Sequence, residues 1–176
     1  MLRAVESGEM LIVDEVNMLV PEVTSILHGL LDWQKCLSVP GYKMVYAHPS
    51  FRLVGCMNYG YVGTKSLNES FQDRFRSIAV PYLPKESLND LLVKETGCSS
   101  EIAEILSELF YKLAERVENG DLSDKVLSVR TLYRSAREHQ YGIGDLKDIA
   151  ISTFTESLND QFESEQVIDI IDALIE

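Results

Sequence analysis

A chain of 176 residues has room for one ordinary domain or two small ones, and 45% hydrophobic with 25% charged residues is the balance of a soluble globular protein. Its net charge of −12 repels nucleic acid and anionic membrane at long range, which argues against a DNA-binding surface. A nucleotide needs only a local cluster of cations, so that ligand class stays open.

No apolar run approaches the length of a membrane span, and Met1-Leu2-Arg3-Ala4-Val5-Glu6 opens neither an h-region nor a cleavage site, so the expected location is the cytoplasm. Cys36, Cys56 and Cys98 lack C-x-x-C spacing and read as reduced thiols rather than metal ligands, with Cys36 and Cys56 expected on strands.

Residues 2–7 read as the closing turns of a helix stopped at Gly8. Met10-Leu11-Ile12-Val13 is an unbroken apolar run, which predicts a strand buried on both faces of a parallel sheet. It ends abruptly in Asp14-Glu15. Open α/β sheets hold ligands at the carboxyl rim of their strands. One carboxylate there can hold a hydrated Mg²⁺, and the other can orient or deprotonate a water for attack on a phosphoryl group. A buried strand followed by an acidic helix cap has the same pattern, and this stretch alone does not separate the two readings.

Pro21, then Val23, Ile26, Leu27, Leu30 and Leu31 at helical spacing, predict an amphipathic helix over about 21–32. His28 on that helix reads as an ordinary half-exposed side chain. The runs Gln34–Val39 and Lys43–Tyr46 flank Pro40-Gly41-Tyr42 and predict a β-hairpin, a sheet edge in the simpler reading and a projecting interaction device in the other. Phe51–Met57 predicts a second apolar strand, ending in Asn58. An amide at such a tip can position an attacking water; read alone, Asn58 is a turn former before Tyr59-Gly60.

Tyr59–Ser66 reads as a flexible loop without the GxxxxGK[ST] pattern of a phosphate cradle. Leu67–Phe75 predicts a short helix carrying Gln72-Asp73-Arg74-Phe75-Arg76, and Ser77–Tyr82 predicts a third strand with Pro81 near its end. Leu83-Pro84 marks the expected boundary between residues 1–84 and an all-α part at 85–176. Helices are predicted there over about 85–95, 100–118, 128–140 and 145–158, followed by a last one holding Val167–Ile175. Gly97, Ser128, Gly142 and Asp145 serve as their stops and caps.

Together these stretches resemble an AAA+ ATPase of the MoxR and dynein-related branch. Leu11–Asn17 resembles its Walker B strand, and Phe51–Asn58 its sensor 1 strand. Gln72–Phe75 resembles the arginine-finger segment, and Ser128-Val129-Arg130 the sensor 2 motif. The hairpin at 34–46 matches the insert that precedes sensor 1 in this superclade. The fold class implied is α/β: the C-terminal part of a P-loop AAA+ parallel-sheet domain with a β-hairpin insert, followed by an all-α lid bundle.

The resemblance implies that Asp14 helps hold Mg²⁺ and that Glu15 polarises the attacking water, which Asn58 orients. It further implies that Arg74 reaches into a neighbour's ATP site, with Arg76 the weaker finger candidate, and that Arg130 reads the phosphates from the lid. It implies a homo-oligomeric ring, often a hexamer. The ring's partners would be ATP and protein substrates, frequently von Willebrand factor A domain proteins, with neither nucleic acid nor membrane among them.

The departure is the missing Walker A loop. The chain is accordingly expected to be the remainder of a longer ATPase, without the first two strands of the usual sheet, and not to bind ATP tightly by itself. Two other readings are a non-catalytic interaction module derived from such a domain, and an unrelated hydrolase using Asp14 and Glu15 as acid and base.

Overall fold

The computed structural model describes residues 1–38, 41–58 and 67–175; the expected loop at 59–66 and the Val39-Pro40 part of the hairpin turn lie outside them. The chain divides into two compact units, Met1–Ala79 and Val80–Glu176.

In the first unit, α1 (Leu2–Ser7) stops where Gly8 adopts φ 77° and its N–H donates to the Ala4 carbonyl. Then come β1 (Met10–Val13), a 3₁₀ turn at Val16–Met18, and α2 (Pro21–Leu31) with Pro21 in its first turn. β2 (Cys36–Leu37), β3 (Val45–Tyr46), β4 (Arg52–Gly55) and α3 (Glu69–Gln72) complete the unit. β1 and β4 pair in parallel, with Met10 opposite Arg52 and Val13 opposite Gly55. Val5, Val16, Leu27, Leu30, Leu37 and Phe71 form the buried core, against which Val13, Phe51, Leu53 and Phe75 pack.

Two strand expectations are corrected. β1 is not buried on both faces: Met10 and Ile12 are 62% and 63% exposed, and Val54, opposite Ile12, shares that open face. Side chains of a strand alternate between faces, so an apolar run states only that both faces tolerate burial; here one face meets the core. The strand expected at Ser77–Tyr82 does not form, and the ladders among the described residues are β1 with β4 and β2 with β3. Ile78 and Val80 lie 77% and 88% exposed. An extended apolar segment becomes a strand only where a neighbouring edge supplies hydrogen-bond partners, which local pattern does not reveal.

Two shorter elements also differ in length. The antiparallel pairing of β2 and β3 joins only Cys36 to Tyr46 and Leu37 to Val45, extended by the Ala47 N–H donating to the Lys35 carbonyl at 2.7 Å. α3 spans Glu69–Gln72, a single turn capped by Asn68, less than the expected 67–75. Cys36 lies on β2 and Cys56 directly after β4.

The second unit is helical: α4 (Lys85–Thr96), α5 (Ser100–Glu118), α6 (Val129–Gln140), α7 (Leu146–Thr155) and α8 (Gln161–Leu174). Its helix ends follow local chemistry. Ser99, Ser128, Asp145 and Asp160 side chains accept backbone N–H groups at the starts of α5, α6, α7 and α8, and Gly97 closes α4 at φ 74°. Leu88, Leu92, Leu106, Leu109, Phe110, Leu113, Leu132, Phe154, Val167 and Ile171 form one core. Each such buried side chain contributes roughly 1.5–3 kcal/mol. The Ser135 and Thr153 hydroxyls lie 2.7 Å apart between α6 and α7, so one donates to the other while the acceptor's own proton goes to a carbonyl one turn back, Thr131 for Ser135 or Ile149 for Thr153, which lets both polar groups be buried.

Candidate functional site

The ends of β1 and β4 are stitched together. The Cys56 N–H donates to the Val13 carbonyl at 2.9 Å, and the Val16 N–H donates back to the Cys56 carbonyl at 3.0 Å. Because the strands are parallel, Asp14-Glu15 and Met57-Asn58 leave the sheet from the same rim. Gly55 permits the fit: a Cβ there would stand 3.0 Å from Val16 Cγ1.

At that rim Asp14 and Glu15 are both exposed. The Glu15 N–H donates to Asp14 Oδ1 at 3.0 Å, and Glu15 takes a left-handed backbone, φ 49° and ψ 45°. A non-glycine residue in that region costs roughly 1–2 kcal/mol, so the turn that presents the Glu15 carboxylate is held by its surroundings, including the buried Val16 and Asn17 just beyond.

Exposed carboxylate oxygens are the donor set that Mg²⁺ accepts. This ion keeps several waters and takes one or two carboxylates, so Asp14 with Glu15 fits it. Among the described residues no three His, Cys, Asp or Glu side chains gather round one point, so a closed all-protein metal cage is not the arrangement here.

Arg74 is paired within its own unit. Its Nε and Nη2 donate to the two carboxylate oxygens of Asp32, at 2.8 and 3.0 Å. Its Nη1 donates to the Ser70 carbonyl and, at 3.0 Å, to Ser70 Oγ. The hydrogen bond from Arg74 holds the Asp32 carboxyl below its ordinary value of 3.8, and the same bond raises the guanidinium further. Arg76, two residues on, is exposed.

Asp32 and Ser70 are the residues that sequence reading missed. Asp32 stands 42 positions from Arg74, so only the docking of α3 on the end of α2 makes the pair. His28, on α2, stacks on Phe71 with ring centroids 5.4 Å apart, and Phe71 meets Phe75 edge-on at 5.2 Å.

Arg130 belongs to the helical unit, exposed on the first turn of α6. It lines a groove of about 390 Å³ with Tyr133, Arg134, Arg137, Glu138 and Tyr141. Arg134 pairs with Glu138 at 2.8 Å and with Glu156, which raises its pKa, whereas burial raises that of Tyr133.

Residues 1–75 match the family described as AAA domain (dynein-related subfamily). The uncharacterized protein YojN of Bacillus subtilis (strain 168) is 34% identical over 132 residues, covering 74% of this chain and 43% of its own length. An uncharacterized protein of Staphylococcus saprophyticus is 28% identical over 182 aligned residues, covering 97% of this chain and 65% of its own length. One from Staphylococcus haemolyticus is 32% identical over 133 residues, covering 74% and 51%. This chain thus spans from 43% to 65% of the length of these relatives. The match covers the paired strands, the acidic rim and the Arg74 segment together, so residues 1–75 are similar to the AAA domain of the dynein-related subfamily.

Proposed function

We propose that this chain supplies the Walker B, sensor 1, arginine-finger and lid parts of a MoxR-type ring ATPase, which hydrolyses ATP to remodel partner proteins such as those carrying von Willebrand factor A domains. The observation that carries this reading is the shared rim: Asp14-Glu15 and Asn58 follow parallel strands whose ends are bonded to each other through Cys56. Carboxylates and an amide at one rim can serve one phosphate-sized ligand.

In this reading the Asp14 carboxylate holds Mg²⁺, directly or through water, and Glu15 accepts a proton from the attacking water while the Asn58 amide orients it. When bound, Mg²⁺ neutralises charge on the phosphate oxygens. A cation from the Gln72–Arg76 segment stabilises the phosphoryl oxygens of a neighbouring subunit's nucleotide, for which motif position names Arg74. Arg130, which opens the lid helix in the resemblance, senses the nucleotide state. The paired β2 and β3 are the insert before sensor 1. The net charge of −12 suits protein partners better than nucleic acid.

Glu15→Gln keeps size and hydrogen bonding and removes the base. In the assembled protein it is expected to abolish ATP turnover while ATP still binds, as followed by phosphate release and by nucleotide fluorescence. Unchanged turnover would refute the role given to Glu15.

A further inference from the structure

We propose that the α6 groove between Arg130 and Tyr141 docks an acidic segment of a protein partner, with carboxylates on Arg130 and Arg137 and a bulky apolar side chain between them. The inference goes beyond the ring-ATPase reading and does not rest on it. The chain carries 28 acidic against 16 basic residues, so a cation with no carboxylate beside it stands out. Lys85, Arg116, Arg134 and Lys147 each sit against one. Arg130 has no such partner among the described residues, and Arg137 Nη2 only donates to the Glu95 carbonyl at 3.5 Å. Glu138, the carboxylate that lines the groove, is held by Arg134 at 2.8 Å. The guanidinium groups therefore outweigh it, and the groove is cationic in an acidic chain.

Spacing gives the partner its shape. Arg130 and Arg137 stand two turns apart on α6, about 10 Å at 1.5 Å per residue. Tyr133 lies between them, half-buried, and Tyr141 follows one turn on, 78% exposed. An extended peptide presents every second side chain on one side and advances about 3.4 Å per residue. Carboxylates four positions apart, with an apolar residue midway, thus lie about 13 Å apart, a span that two long guanidinium side chains can meet. The groove of about 390 Å³ has room for the middle side chain. Guanidinium forks match carboxylates, and tyrosine rings supply contact area at little entropic cost. The negative charge on the rest of the chain is screened beyond about 8 Å at physiological salt, so the local cations govern docking.

The probe is a fluorescent peptide, Gly-Ser-Glu-Ser-Leu-Ser-Glu-Ser-Gly, titrated with the whole chain and read by anisotropy. Binding is expected, and it should weaken as salt is raised. Arg137→Glu should weaken it about tenfold, with Arg137→Gln falling between that variant and wild type. Lys125→Glu alters an exposed cation outside the groove and makes the same change in net charge, yet should shift binding less than about twofold. Circular dichroism checks that each variant keeps its helices. Exchanging the peptide's Glu for Gln should abolish binding, and exchanging its Leu for Ser should weaken it.

A wild-type chain that does not bind the peptide overturns the proposal, as does equal weakening by Arg137→Glu and Lys125→Glu. Release of the peptide by Mg-ATP would give the groove to the nucleotide. Self-association of the chain that Arg137→Glu abolishes would give it to a second copy. Either result overturns the acidic partner.

Discussion

Asp32 shows how one residue can change the meaning of another. From the sequence Arg74 is an isolated cation; in the fold it is half of a fork with Asp32, its side chain 24% exposed against 37% for its partner. The pairing holds the Asp32 pKa below 3.8, so its contribution to stability is complete above that value and is lost as pH falls through the lower folded value. Asp32→Asn is therefore expected to be less stable than wild type at neutral pH, with the gap closing below about pH 4. Urea midpoints of the two proteins at a series of pH values check this. The comparison is needed because Glu108, held low by its bond to Lys85, loses its own contribution in the same range. A gap that stays constant down to pH 2 would show that the pair does not govern this titration.

At the scale of elements, α1 and β1 are joined by a turn that only glycine fits. Gly8 has φ 77°, and a Cβ there would stand 2.4 Å from His48 Nδ1. That ring is not free to swing aside without loss, because Nδ1 accepts the Ser50 N–H at 3.1 Å and the His48 N–H donates to the Val5 carbonyl at 2.9 Å. Gly8→Ala is expected to cost about 1–3 kcal/mol, the left-handed backbone and the crowded ring adding together. Urea unfolding measures it, and an Ala variant of unchanged midpoint would contradict the turn geometry. The helices of the second unit were legible for the opposite reason. Their caps at Ser99, Ser128, Asp145 and Asp160 are contacts within three residues, so they are written in the local sequence.

Over the whole molecule, each compact unit has its own core, one around Phe71 and the other around Phe110. Phe110 is fully buried and meets the rings of Tyr82 and Tyr111 edge-on at 5.1 and 5.7 Å. Removing that ring leaves a cavity walled by α-helix, and Phe110→Ala is expected to destabilise the chain by about 3–5 kcal/mol. Denaturation followed by circular dichroism at helical wavelengths reads the loss directly; a shift below about 1 kcal/mol would mean that the core collapses into the space. No helix among the described residues is long and apolar enough to cross a membrane.

The sequence by itself determined the helices of the second unit, the order of the motifs and the acidic pair at the end of β1, because each is a short-range pattern of side-chain chemistry. Tertiary structure alone decided the rest. Which face of β1 is covered, whether 77–82 finds an edge to pair with, and which carboxylate takes Arg74 all depend on residues far away in the chain. Burial, strand pairing and bidentate ion pairing are relations between distant groups, and no local window of residues contains them.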